Sequence, residues 1–170
     1  MQKILIAPHP ILREQAKNLD KVTKQDVAIS KQMIQIMKNG FGAGLAANQI
    51  GILKKIITIH IQDKENNTEK LYALFNPMID EYSKDTIVME EGCLSFPQQF
   101  AEVERPKSIK LQYTNEKNNI IREEKNGYEA RILQHEIDHL SGKLFIDYLS
   151  SLKRNILIKK VQKLKKLGKI

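Results

Sequence analysis

Apolar residues recur along this chain with periods that change from segment to segment, and the changes mark its elements. Lys3-Ile4-Leu5-Ile6 is a short, strand-like apolar run stopped by Pro8 and Pro10. Thr23, followed by Lys24, Gln25 and Asp26, has the form of a capping box. Val27, Met33, Ile34 and Met37 then recur at roughly helical spacing until Gly40, which predicts a helix over about residues 24 to 38. Farther on, Ile57, Ile59 and Ile61 alternate with Thr58, His60 and Gln62, a strand with His60 on the face opposite the isoleucines. Leu71 to Phe75, Thr86 to Met89 and Ser108 to Thr114 read as further strands, with Asn- and Pro-containing turns between them. A helical pattern returns from about Tyr128 to Leu140, where Gly142 can cap the end, and again from about Leu149 to the C-terminus. Helices do not alternate with the strands, so the pattern predicts an α+β fold with antiparallel or mixed sheets and a C-terminal helix, not a doubly wound sheet.

At 170 residues the chain fits one domain. A hydrophobic share of 41% against 28% charged residues is globular and excludes a disordered chain. No apolar run reaches the 18 or more residues a membrane span needs, and the Met-Gln-Lys start does not lead into a signal-peptide core, so the expectation is a soluble, cytoplasmic protein without membrane contact. Charge divides the chain more sharply than hydropathy does. The formal net charge is +8, and Tyr148 to Ile170 holds eight basic residues and no acidic one, while the other 20 basic and 20 acidic residues cancel. We therefore expect a neutral body over 1–147 and a basic helical tail over 148–170. The single cysteine, Cys93, excludes an intramolecular disulfide, and any chemistry it performs is that of a thiolate.

The candidate chemistry centres on His135-Glu136-Ile137-Asp138-His139. Histidines at i and i+4 share one helical face, at a spacing that lets two imidazoles reach one metal ion with the intervening glutamate directed at water beside it. A solvated helix face with two incidental histidines is the plain alternative. Common protease arrangements for a third ligand are disfavoured: Phe145 stands three positions past Gly142, where one class has histidine, and after His139 the chain has no glutamate and a single carboxylate, Asp147. An upstream ligand remains, with Cys93 in Glu91-Gly92-Cys93-Leu94-Ser95 the first candidate. His9, between two prolines, and His60, on a strand, compete but read more simply as structural. Arg131 and Ile132 precede His135 by four and three residues; Ile132 is placed to line a pocket, and Arg131 reads as a solvated charge rather than a substrate contact. Glu91 is open between orienting a ligand and lying on the surface.

Three stretches in order, Gly42-Ala43-Gly44-Leu45-Ala46-Ala47-Asn48-Gln49, Glu91-Gly92-Cys93-Leu94-Ser95 and the His135 to His139 segment, give the chain a resemblance to the peptide deformylases that extends over nearly its whole length. The resemblance implies removal of the formyl group from the N-terminal methionine of nascent chains, in a compact α+β fold built around the metal-binding helix. It implies Cys93, His135 and His139 as metal ligands, with Fe(II) the usual metal and zinc, nickel or cobalt as substitutes. Glu136 takes the part of general base, and the Gln49 amide and Leu94 backbone N–H stabilise the tetrahedral intermediate. Ala43, Gly44, Gly92 and Ile132 fall to substrate binding, Gly44 because backbone without a side chain can pair with an extended peptide. Ala43 stands where a branched aliphatic residue is common in the family, which leaves the entrance to the site roomier.

Two other functions share these residues. One is a general metallopeptidase; the other is a nucleic-acid-binding protein with a structural metal, which the +8 tail favours but the lack of a conveniently placed fourth Cys or His does not. For a deformylase the tail suggests ribosomal RNA as its polyanion, because members of the resembled family dock on the ribosome through a C-terminal helix, with Leu152, Ile156, Val161, Leu164 and Leu167 forming a packing stripe and the lysines facing outward. On that reading the protein is a monomer, and deleting residues 150–170 abolishes ribosome binding while small-peptide deformylation survives.

Overall fold

The Thr23 capping box forms as its sequence predicts. In a computed structural model describing residues 3–63 and 65–170, the Thr23 hydroxyl accepts from the Asp26 N–H and the Asp26 carboxylate accepts from the Thr23 N–H, starting helix α1 (Lys24–Asn39). Met1 and Gln2, on which the reading of the N-terminal start partly rests, and Lys64 lie outside the described residues.

Seven strands follow: β1 (Gly44–Ala46), β2 (Ile56–Asp63), β3 (Thr68–Tyr82), β4 (Thr86–Cys93), β5 (Phe96–Pro106), β6 (Ser108–Thr114) and β7 (Ile120–Asn126). Helices α2 (Gly127–Leu140) and α3 (Ser151–Lys166) complete the chain. Among the described residues the strands pair antiparallel, in a five-stranded sheet ordered β1-β2-β3-β6-β7 and a separate β4-β5 ribbon. The α+β class is thus as the pattern predicts.

Several elements differ from the pattern. Residues 3–6 form no strand; Leu5 and Ala7 instead donate single backbone bonds to Gln49 O and Ser95 O, because the prolines that follow stop any ladder. Strand β5 escapes the periodicity because two of its inward positions are polar, Gln99 and Arg105. Strand β7 escapes it because, as a sheet edge, it carries Arg122, Glu123, Glu124 and Lys125.

Strand β2 decides where the site sits. Its alternation sends Ile57 and Ile59 into a cluster with Ala130, Ile132 and Leu133 of α2, while Ile56 joins Met33, Ile36 and Met37 of α1. The sheet is therefore covered on both faces at this strand, and α2 lies across the sheet beside the short edge strand β1. His60 is on the opposite side from Ile57 and Ile59, as the alternation predicts, where it bonds Glu69 at 2.7 Å.

A third cluster joins Phe96 and Val103 of β5, Phe145 and Ile146, and Leu157 and Val161 of α3. The basic tail thus has a buried foot under the ribbon that ends in Cys93. The packed stripe is centred on Leu157 and Val161, with Ile158 and Leu164 half-buried, whereas Leu152, Ile156 and Leu167 are exposed. This corrects the expected stripe: Leu152, Ile156 and Leu167 do repeat at roughly helical intervals, but the tertiary docking rotates the helix toward Leu157.

Candidate metal centre and active site

Two elements bring the candidate chemistry together. Helix α2 carries His135, Glu136 and His139 on its inner side, all less than a tenth exposed. Strand β4 delivers Cys93 at its end, just before the Leu94-Ser95 turn into β5. The Cys93 Sγ, His135 and His139 donor atoms all lie within 4.8 Å of one another, with Cys93 Sγ 3.3 Å from His139 Nε2. The upstream competitors are elsewhere: His9 Nδ1 accepts from the Ile11 N–H to cap the turn Pro10–Arg13, and His60 pairs with Glu69.

Neighbouring groups fix the orientation of these donors. Glu91 Oε2 is 2.8 Å from His135 Nδ1, which places the proton on Nδ1 and leaves Nε2 for the cluster. Burial alone would raise the Glu91 pKa, yet bonds from His135 and Arg105 outweigh it and hold the carboxyl far below its ordinary range. Burial pushes His139 well below its usual pKa, so its imidazole is a neutral donor. Gln49 Oε1 accepts from the Ala46 N–H at 2.8 Å, which turns its Nε2 toward Ser95 Oγ at 3.1 Å and Cys93 Sγ at 3.5 Å.

Glu136 is 4% exposed, and its Oε2 has no hydrogen-bond partner among the described residues. Burial raises its carboxyl to about 7, with His135 opposing the shift and Glu91 reinforcing it. A carboxylate poised there suits proton transfer near neutral pH.

Gln49, Glu91, Cys93, His135 and Glu136 border one cleft of about 550 Å³. Of the residues singled out in the sequence, Ala43, Gly44, Gln49, Gly92, Cys93, Leu94, Ile132, His135 and Glu136 line it, and His139 completes the donor cluster behind. Gly44 lies against Glu136, and Gly92 lies against the Phe100 ring, so the cleft passes where side chains are absent. Among the five phenylalanines the two exposed ones, Phe41 and Phe100, both stand on the wall of this cleft.

Arg131 overturns its reading as a solvated charge. It is 4% exposed, with its guanidinium on Glu91 Oε1 and on the Val103 and Ile87 carbonyls. Glu91, left open by the sequence, is also buried. Arg105, Asp138 and Tyr148 join the same network; Asp138 lies within the His135 to His139 stretch without a role read for it, and for Arg105 the one available hint is that it shares the inward alternation of Val103, where a charge has to be paired.

Comparison with known proteins agrees with this geometry. The family model described as Polypeptide deformylase matches residues 1–155. The chain belongs to the polypeptide deformylase family. A peptide deformylase of Rickettsia canadensis is 43% identical over 166 residues, 95% of each chain. The crystal structure of peptide deformylase from Ehrlichia chaffeensis superposes with a TM-score of 0.94 at 32% identity, covering 100% of this chain and 99% of that one. A second structure of the Ehrlichia protein, in complex with actinonin, has a TM-score of 0.90 at 34% identity and covers 96% of each chain. The deformylases are metalloenzymes, and this member is a hydrolase that removes the N-formyl group from nascent polypeptides. Its donor set fits a metal ion: one cysteine sulfur and two imidazoles converge, a borderline-soft N/S combination that accepts zinc, iron, nickel or cobalt.

Proposed function

We propose that Cys93, His135 and His139 hold the catalytic metal, Fe(II) by the family's habit with zinc, nickel or cobalt as substitutes, and that the deformylation takes place in the cleft beside Gly44. The supporting observation is the convergence of the three donors with the buried Glu136 on the wall of that cleft. When bound, the metal supplies Lewis acidity, which lowers the pKa of a water from 15.7 to about 7.

The residues of the chain do the rest. Glu136 takes a proton from the attacking water and hands it to the amine as the formamide C–N bond breaks, so the products are formate and a free α-amino group. The Gln49 amide and the Leu94 N–H donate to the carbonyl oxygen as its charge develops; losing one such donor costs about a hundredfold or more in rate. Gly44, on edge strand β1, pairs with the substrate main chain, while Ala43, Gly92 and Ile132 border the methionine side chain. A structural-metal reading is weaker, because the cluster supplies three protein donors among the described residues and structural sites close with four.

The division of labour into a catalytic part, 1–147, and a basic part, 148–170, belongs to this reading. Every lysine from Lys153 to Lys169 is exposed, and they face outward from the Leu157–Val161 foot. We read that face as the contact with ribosomal RNA, for a monomer working in the cytoplasm. No described helix is long and apolar enough to cross a membrane.

The test compares formyl-Met-Ala-Ser, acetyl-Met-Ala-Ser and an internal-bond peptide with protein loaded with Ni(II) or Fe(II). Formate release that strongly prefers the formyl substrate and is lost in Glu136→Ala is expected. Equal cleavage of the internal bond would favour a general metallopeptidase, and full activity of Glu136→Ala would remove Glu136 from its role.

A further inference from the structure

The donors of the cluster come from two elements, a strand end and a helix, and something must hold these in register. Arg131 spans them. It stands one helical turn before His135 on α2, and its side chain is almost wholly buried. Nη1 donates to Glu91 Oε1 at 2.8 Å and to the Val103 carbonyl at 2.8 Å, and Nη2 donates to the Ile87 carbonyl. One guanidinium from α2 therefore grips β4 at Ile87 and Glu91 and β5 at Val103. Strand β4 is the strand that ends in Cys93.

Glu91 is the hinge of the arrangement. Its Oε1 accepts from Arg131 and from Arg105 Nε at 2.6 Å, and its Oε2 accepts from Arg105 Nη2 at 3.1 Å and from His135 Nδ1 at 2.8 Å. Arg105 continues to Asp138 at 2.7 Å, and Tyr148 donates to the same Asp138 oxygen at 2.7 Å. Two arginines face two carboxylates, Glu91 buried and Asp138 partly exposed, and every oxygen of Glu91 is committed. Arg105 forks both oxygens of Glu91, Arg131 grips Oε1 from the side of α2, and together they present Oε2 to His135 in one orientation.

We propose that Arg131 is a positioning residue of the metal centre: it clamps Glu91 against His135 and ties the ribbon carrying Cys93 to the helix carrying both histidines. Its side chain borders the cleft, and its action on the metal centre runs through Glu91 and through the two carbonyls. The proposal rests on Cys93, His135 and His139 being the metal ligands.

The probe is Co(II), whose visible absorption reports thiolate and imidazole coordination, titrated against a competing chelator into full-length protein stripped of metal. Arg131→Met keeps the stem and removes all three bonds. Its cobalt affinity is expected to fall about 10- to 100-fold, with a shifted absorption spectrum, while far-UV circular dichroism stays native. Arg131→Lys keeps a charge beside Glu91 but not the fork, and should fall between Arg131→Met and the unaltered protein. Unchanged affinity and spectrum in folded Arg131→Met would overturn the proposal. Should Arg131→Met not fold, Arg131→Lys carries the test, and wild-type affinity and spectrum there overturn it equally. An unaltered protein that binds no cobalt sinks the ligand assignment along with it, whereas equally tight binding by both proteins sinks this proposal alone.

Discussion

Replacing Gly44 by alanine places one methyl group against the proposed general base. A Cβ at this position would overlap the Glu136 carboxylate, lying 2.7 Å from its Cγ and 2.8 Å from its Cδ, where ordinary contact begins at 3.4 Å. The shortfall to Cδ is 0.6 Å, the difference between 3.4 and 2.8. Glu136 is buried, so it has little room to retreat, and β1 is held to β2 through the pairing of Gly44 with Ile59. Misplacing a catalytic group by about 1 Å costs roughly a hundredfold, which is about 2.7 kcal/mol of barrier. We therefore expect kcat of Gly44→Ala to fall about a hundredfold, with a stability loss of about 1–3 kcal/mol from overpacking. Gly42→Ala is the control, because its Cβ meets Leu94 Cδ1 at 2.7 Å, the end of a side chain that can rotate away. Its loss should stay below about tenfold. The assay is steady-state formate release from formyl-Met-Ala-Ser at matched metal content, with urea midpoints measured in parallel. A Gly44→Ala protein with full metal and unaltered kcat would refute the placement of Glu136 as the base at this wall.

Four further outcomes follow from the structure. Deleting residues 150–170 removes Leu157 and Val161 from the cluster with Phe96 and Phe145, worth about 1.5–3 kcal/mol for each buried side chain. A lower urea midpoint is therefore expected alongside any loss of ribosome binding. Replacing Lys159, Lys160, Lys163, Lys165 and Lys166 by glutamine is the cleaner probe: ribosome co-sedimentation should lose affinity and salt sensitivity with small-peptide deformylation kept, and unchanged co-sedimentation would end the docking role. At Asp26, burial works to raise the pKa, but bonds from Lys54 and from the Thr23 side chain and backbone outweigh it and hold the carboxyl below 3.8. A depressed folded pKa means stability that is present above 3.8 and is lost as pH falls through the folded value. Asp26→Asn should thus lower the urea midpoint at pH 7 and flatten its decline below pH 3.8, and parallel pH curves for the two proteins would contradict this. Chelating the metal should abolish formate release while far-UV circular dichroism remains native, since the three clusters close without it; unfolding on chelation would point to a structural ion.

Much of the site was legible in the chain because its chemistry is local. The i, i+4 spacing of His135 and His139 sets both on one helical face whatever surrounds the helix, and the Gly42 to Gln49 segment shows its lack of side chains residue by residue. The capping box at Thr23, the alternation through Ile57 and Ile59 and the helix of residues 128–140 likewise depend on neighbours within one turn or one strand.

Tertiary structure decided what depends on partners far along the chain. Arg131 and Glu91 are 40 residues apart and Arg105 and Tyr148 are 43 apart, and no periodicity tells a buried, paired charge from a solvated one. Strands β5 and β7 were hidden for related reasons, one by inward polar residues, of which Arg105 is paired with Glu91 and Asp138 on other elements, and the other by its place at a sheet edge. The tail shows both sides. Its charge was evident from composition, but which stripe it buries depended on the surface offered by Phe96, Val103 and Phe145, and that surface exists only once the ribbon is folded. By itself the chain determined which donors are present and which of them share a helix. That the sulfur of Cys93 meets them, beside two buried arginines, was decided by the packing of β4 and β5 against α2.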